Sequence, residues 1–237
     1  DKVVVKPNIG WDVSPEKAAN TDPNLVKAIV KDVFDAGAQK VYVFDHTCDN
    51  WNQCYATSGI KDAAEEAGAD VIPANTEGYY EHVDIPKGKR LTEAKVHEKI
   101  LESDVFINVP KLKHHGSTKL TIAMKNLMGI VWDRHFWHRN DLHQCIADFS
   151  TLRQPDLNII DAYDIMVQNG PRGVSLSDVE TERYVIVSDD MVAADAAATG
   201  VIKKKPSNID YIVHADNMNI GEMDLDELNV ARLKVNG

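Results

Sequence analysis

Four lysines and two adjacent histidines fall between Val109 and Gly129, in VPKLKHHGSTKLTIAMKNLMG. Lys111, Lys113, His114 and His115 follow ESDVFINVP, whose apolar run reads as a strand ending at Pro110. Ligands of open α/β sheets bind beyond the carboxyl ends of strands, so these side chains fall where a substrate would be held. A chain of net charge −11 gains no solubility by gathering Lys111, Lys113, Lys119 and Lys125. The simplest physical account is a positive site for a small anionic ligand. His114 or His115 would move a proton there. Lys6-Pro7-Asn8 ends the opening strand in the same way, and Lys6 joins the candidate site.

Thiols and imidazoles supply a second chemistry. Asp45-His46-Thr47-Cys48 follows the strand VYVF, with Cys54 six residues on. WDRHFWHRNDLHQC carries His135, His138, His143 and Cys145. Three thiolates from Cys48, Cys54 and Cys145, with His46 or His143 as a fourth ligand, could hold zinc or an iron–sulfur cluster, because soft thiolates select those ions. On an undistorted helix His143 and Cys145 point apart, which works against a shared ion. A Cys48–Cys54 disulfide, or buried free thiols, would account for the same residues. Trp51, Trp132 and Trp137 neighbour these positions and could line a pocket or a partner surface.

Absences narrow the field. The chain has no G-x-G-x-x-G, G-x-x-x-x-G-K-[ST], G-x-S-x-G, H-E-x-x-H or C-x-x-C. Dinucleotide, P-loop, hydrolase-elbow, zincin and ribbon-zinc readings lose their usual support. The acidic charge argues against a nucleic-acid partner, and no apolar run approaches a membrane span. Lys203-Lys204-Lys205 reads as a solvated helix end.

These residues need a scaffold, and the 237-residue chain supplies alternating signals for one. Strands are predicted at 3–7, 39–44, 69–73, 104–109, 157–161 and 184–188. Helices are predicted from Asp22-Pro23 to about Ala36, and over 58–67, 93–102, 118–128, 140–151 and 191–199. Residues 77–90 and 168–182 read as loops, the first with room for a short hairpin. Asp189 or Asp190 caps the last helix. The pattern predicts a single three-layer α/β domain over 1–237, with a mainly parallel sheet and helices on both faces.

VVVKPNIGWD, AANTDPNLV, FDHTCDNWNQCYATSGI, INVPKLKHHGSTKLTIAMKNLMG, LHQCIADF, IIDAYDIMVQNGP and VSDDMVAADA together resemble the DUF362 family of uncharacterised bacterial and archaeal proteins. The resemblance covers nearly the whole chain in order. It implies site positions at Lys6, Asn8, Asp45, His46, Cys48, Lys111, His114, His115, Lys125, Asn126, His143 and Asp161. Many relatives carry a ferredoxin-like module, which three cysteines cannot build. Others carry a twin-arginine leader, so the abrupt opening strand suggests an extracytoplasmic protein whose leader is removed. The family's usual Asp-Pro is replaced around Asp189-Asp190-Met191.

The combined expectation is an enzyme with a metal ion or iron–sulfur cluster as cofactor. Cys48, Cys54, Cys145, His46 and His143 would hold the centre. Lys111, His114, His115, Lys6 and Lys125 would act on the anion, with Asn8, Asn126 and Asp161 as cofactor-binding residues. A non-catalytic anion-binding protein and a metal-free Lys/His acid-base enzyme are the alternatives. A homo-oligomer is left open.

Overall fold

The computed structural model describes residues 1–235. The chain opens with β1 (Lys2–Pro7), α1 (Pro23–Asp35), β2 (Lys40–Val43), α2 (Trp51–Thr57), α3 (Ile60–Glu66) and β3 (Asp70–Val71). A hairpin follows, β4 (Tyr80–Asp84) and β5 (Glu93–His97), then α4 (Glu98–Glu102) and β6 (Val105–Val109). The lysine-histidine segment forms β7 (Lys111–His115), β8 (Lys119–Thr121) and α5 (Ala123–Asn126). Next come α6 (Arg134–Arg139), α7 (Leu142–Phe149), β9 (Leu157–Met166), β10 (Val179–Ser188), α8 (Met191–Val201) and α9 (Asp210–Asn217).

Eight of these strands form one mainly parallel sheet. β3, β2, β1, β6 and β9 pair in parallel, and β9 also takes β7 in parallel. β8 and β10 add antiparallel pairs to β7 and β9. Both faces of the sheet are covered. Val3 and Val5 of β1 pack with Val26, Ile29 and Val30 of α1 and with Tyr55 and Ile60. Val4 faces the other way, into a core with Ile100, Ile146, Val192 and Ile212. Strands buried on both faces read as continuous valine runs, which is why VVV opens the chain. The predicted three-layer α/β arrangement is therefore the observed one. No helix among the described residues is long and apolar enough to cross a membrane.

Several helix ends follow their sequence signals. Asp22 accepts from the Asn24 N–H at 2.7 Å, with Pro23 in the first turn of α1. Asp190 caps α8 by accepting from Val192 and Ala193. The basic run 203–205 lies exposed just beyond α8.

Three segments depart from expectation. Residues 118–128, predicted as one helix, form β8, the short α5 and a 3-10 turn over Leu127–Ile130. Thr118, Leu120, Thr121, Ile122 and Ala123 are all buried, a pattern with no outward face. The Asp195 carboxylate starts α5 instead, accepting from the Ala123 N–H at 2.6 Å and the Met124 N–H at 3.2 Å. The predicted helix over 93–102 splits into β5 and α4. Ala94 and Val96 turn inward while Glu93 and Lys95 stay exposed, a period of two that favours a strand. The second long loop ends early, because β10 begins at Val179.

Candidate functional site

Strand ends of β1, β2 and β7 converge with the turns around α5 and α6 on a cavity of about 970 Å³. Lys113 enters from β7 and is 2% exposed. Its ammonium donates to Asn8 Oδ1 at 2.7 Å and to the Ala19 carbonyl. Lys125 enters from α5, also buried, and its only hydrogen-bonding neighbour among the described residues is Met128 Sδ at 3.6 Å. Neither amine has a carboxylate partner among the described residues. Burial drives both down from the usual lysine value of 10.5, Lys113 to about 7 and Lys125 to about 8.

Other polar groups line the same cavity. His115 is pushed down to about 2, first by burial and then by Lys125 and Lys113. Its Nδ1 accepts from the Ser117 and Thr118 N–H groups at 3.1 and 3.3 Å, so the neutral ring carries its proton on Nε2. Thr121 Oγ1 and Asn126 Oδ1 are buried with no hydrogen-bond partner among the described residues. Such atoms cost free energy unless something satisfies them. Arg134 closes one side. Its guanidinium donates to the His46 and Thr47 carbonyls, each at 2.8 Å, and lies 3.8 Å from Cys48 Sγ. His46 stacks on Trp132 with ring centroids 5.1 Å apart, and burial lowers its pKa. Its Nδ1 lies 3.0 Å from the Val131 carbonyl, leaving Nε2 as an acceptor.

Two buried ion pairs hold the cradle. Lys6 Nζ meets Asp45 Oδ1 at 2.8 Å, and Asp45 Oδ2 accepts from the Ile9 N–H at 2.6 Å. Burial lowers Lys6 even against the carboxylate's pull. Lys111 Nζ meets Asp161 Oδ2 at 2.8 Å, and that carboxylate also takes the Asp22 N–H. Gly129 is required by close approach. A Cβ there would lie 1.7 Å from Asp45 Oδ1 and 2.6 Å from Lys6 Nζ. Gly129→Ala is expected to pry that pair apart and cost about 3 kcal/mol or more by urea unfolding. Gly10→Ala, whose Cβ meets only Asn8 Nδ2 at 3.8 Å, is the control expected to lose far less.

The expected site residues divide sharply. Lys125, His115, Asn8, Asn126, Asp45, His46 and Cys48 line the cavity. Lys6, Lys111 and Asp161 are spent in ion pairs beneath it. His114 instead accepts the Gly170 N–H at 3.1 Å and ties down the loop after β9. Lys119 lies exposed, donating to the Asn208 carbonyl.

The sulfur ligands do not come together. All three thiols are free. Cys54 is buried in the core beside α1 and Cys145 in the core on the other face of the sheet. Burial raises their thiols to about 11 and about 12. His143 sits elsewhere, 4.0 Å from Asp210 and stacked near Tyr211. Among the described residues no group of three or more His, Cys, Asp or Glu could hold a metal ion.

Residues 3–200 match the family model described as Domain of unknown function (DUF362). The chain belongs to this family. The DUF362 chain is 26% identical over 223 residues to a thylakoid-associated protein of Synechocystis sp., covering 88% of this chain and 65% of that protein. It thus spans less than two thirds of that relative's length. Its fold is similar to that of the lactate racemase apoprotein from Thermoanaerobacterium thermosaccharolyticum. The TM-score is 0.50 at 10% identity, covering 85% of this chain and 48% of the other.

Arg134 and Thr121 complete the DUF362 cavity but were not among the residues picked out, and Lys113 was read only as one of the clustered lysines, with no role of its own. A strand reading of KLKHH would have found Lys113, since a period of two sets Lys113 and His115 on one side and Leu112 and His114 on the other.

Proposed function

We propose that the cavity binds a small anion, a carboxylate or phosphate, and acts on it by proton transfer without a metal. The observation that carries this reading is the pair of buried amines, Lys113 and Lys125, on one cavity, neither of them in an ion pair with a carboxylate among the described residues. Buried ammonium groups are expensive unless paired, and an anion would supply the missing partner.

The lowered pKa values support the second half of the proposal. Lys113, at about 7, passes between neutral amine and ammonium near neutral pH, so it can both take and give a proton. Lys125, at about 8, stays largely charged and anchors the anion. His115 stays neutral and offers an Nε2–H donor. A metal or iron–sulfur centre fits less well. Its sulfur ligands are divided between two cores, and the proton chemistry above needs none of them. The structural neighbour is called a lactate racemase. Lactate is a small carboxylate and so a practical first probe, with inorganic phosphate beside it.

The sign of the pH dependence follows from the amines. An anion prefers both lysines charged, and they lose their protons as pH rises through about 7 and about 8. Affinity for lactate, which stays fully ionised across this range, should weaken by at least about tenfold between pH 6 and pH 9. Calorimetric titration at the two values checks this. An affinity that is flat or rises with pH would refute the lysine site. Exchange of the carbon-bound hydrogen of lactate with deuterated solvent tests proton transfer, and its absence across a panel of small carboxylates would leave a binding site only.

A further inference from the structure

Cys48 takes no part in this proton chemistry, yet it stands in the same cavity. It is the one exposed thiol of the three, in the loop after β2. Its backbone N–H donates to the Gly10 carbonyl at 2.8 Å, fixing the loop. Arg134 clamps the two preceding carbonyls and brings a guanidinium nitrogen to 3.8 Å from Sγ. Lys113 and Lys125 line the same cavity as Cys48. Cys54 and Cys145 lack this setting. They are buried, and each sulfur rests on a backbone carbonyl.

A ligand is indicated independently of the thiol. Thr121 and Asn126 are 5% and 3% exposed, both line the cavity, and each has a side-chain oxygen with no hydrogen-bond partner among the described residues. Those oxygens can serve the polar part of a bound molecule, the amines its charge, and the exposed sulfur lines the same cavity.

We propose that Cys48 is a covalent site: its sulfur attacks an electrophilic carbon of a small anion seated on Lys113 and Lys125. This rests on the anion-binding reading of the cavity. Lys125 holds the anion as ammonium, the thiol proton passes to Lys113 in its neutral form, and a sulfur lone pair forms the S–C bond. With a carbonyl ligand, the C–O π pair moves to oxygen, which an ammonium group then protonates. With a haloacetate, the C–halogen pair leaves as halide. Neither step needs an oxidant or reductant.

The test compares iodoacetate with iodoacetamide on the full chain at pH 7.5, with peptide mapping by mass spectrometry. Ordinary thiols serve as the reference ratio. Cys48 is expected to favour the anionic reagent by at least about tenfold over that reference. The preference should fall in Lys125→Met, and inorganic phosphate should protect Cys48. Calorimetry with phosphate on Cys48→Ser runs in parallel. If phosphate binds but Cys48 shows only the reference ratio, the covalent site is wrong and the anion site stands. If the preference survives unchanged in Lys125→Met, the reagent is not drawn by the cavity and the covalent site is again wrong. If phosphate does not bind and no preference appears, both readings fail.

Discussion

Lys125→Met is expected to make the ligand-free protein more stable while removing its anion binding. The amine is buried, and among the described residues its only hydrogen-bonding neighbour is a thioether. Methionine therefore fills similar space and orphans no oxygen. The lowered pKa, from 10.5 to about 8, measures what the folded protein loses by keeping that ammonium out of water. At one pKa unit per 1.4 kcal/mol, the gain on replacing it is roughly 3–4 kcal/mol at pH 6. For a chain of this length that is on the order of 10 °C in Tm. The sign follows from linkage. Below pH 8 the lysine is charged in both folded and unfolded states and the full penalty applies. Between 8 and 10.5 the folded form is neutral while the unfolded chain still binds a proton, so the penalty fades. The advantage of the variant should shrink accordingly as pH rises. Thermal unfolding at pH 6 and pH 10, beside phosphate calorimetry, measures both halves. A variant that is less stable at pH 6, or that binds phosphate as the wild type does, would contradict the role given to Lys125.

Asp161→Asn should have the largest effect in the opposite direction. The carboxylate is 1% exposed and receives Lys111 Nζ, the Asp22 N–H and the Tyr163 N–H. It thereby joins β9, β7 and the start of α1 beneath the cavity. Neutralising it leaves the buried Lys111 ammonium without its counter-charge, a loss of about 3–5 kcal/mol. The companion variant Lys111→Met/Asp161→Asn removes the stranded charge and should recover more than half of that. Urea unfolding of the two variants decides the matter. Equal destabilisation in both would mean that the ammonium is not what makes the single change costly.

The scaffold was more legible than the site. α1 is written locally, in Asp22-Pro23 at its start and in the spacing of Leu25, Ile29, Val30 and Val33. β1 is legible because burial on both faces leaves an unbroken apolar run. KLKHH hides its strand, because charged side chains mask a period of two that only the neighbouring strands and the cavity explain. The two buried ion pairs were out of reach for the same reason. Lys6 and Asp45, or Lys111 and Asp161, lie 39 and 50 residues apart in sequence, and strand-end position suggested ligand binding when each charge in fact neutralises the other. The thiols misled through composition. Three cysteines and nearby histidines suggest a centre, but the sheet runs between Cys54 and Cys145. What survives of the lysine-histidine signal is narrower: Lys113, Lys125 and His115 on one cavity, with Asn126 and Thr121 supplying unsatisfied oxygens.

Proton linkage tests the anion site most directly. Phosphate is titrated into the protein at pH 8 in two buffers of different ionisation enthalpy, and the difference in heat gives the protons exchanged on binding. At that pH Lys113 is largely neutral and Lys125 about half so, and an anion should draw protons onto both. Net uptake by the protein, reduced in Lys125→Met, is the expected result. Binding with no uptake, or with release, would mean that these amines do not receive the anion.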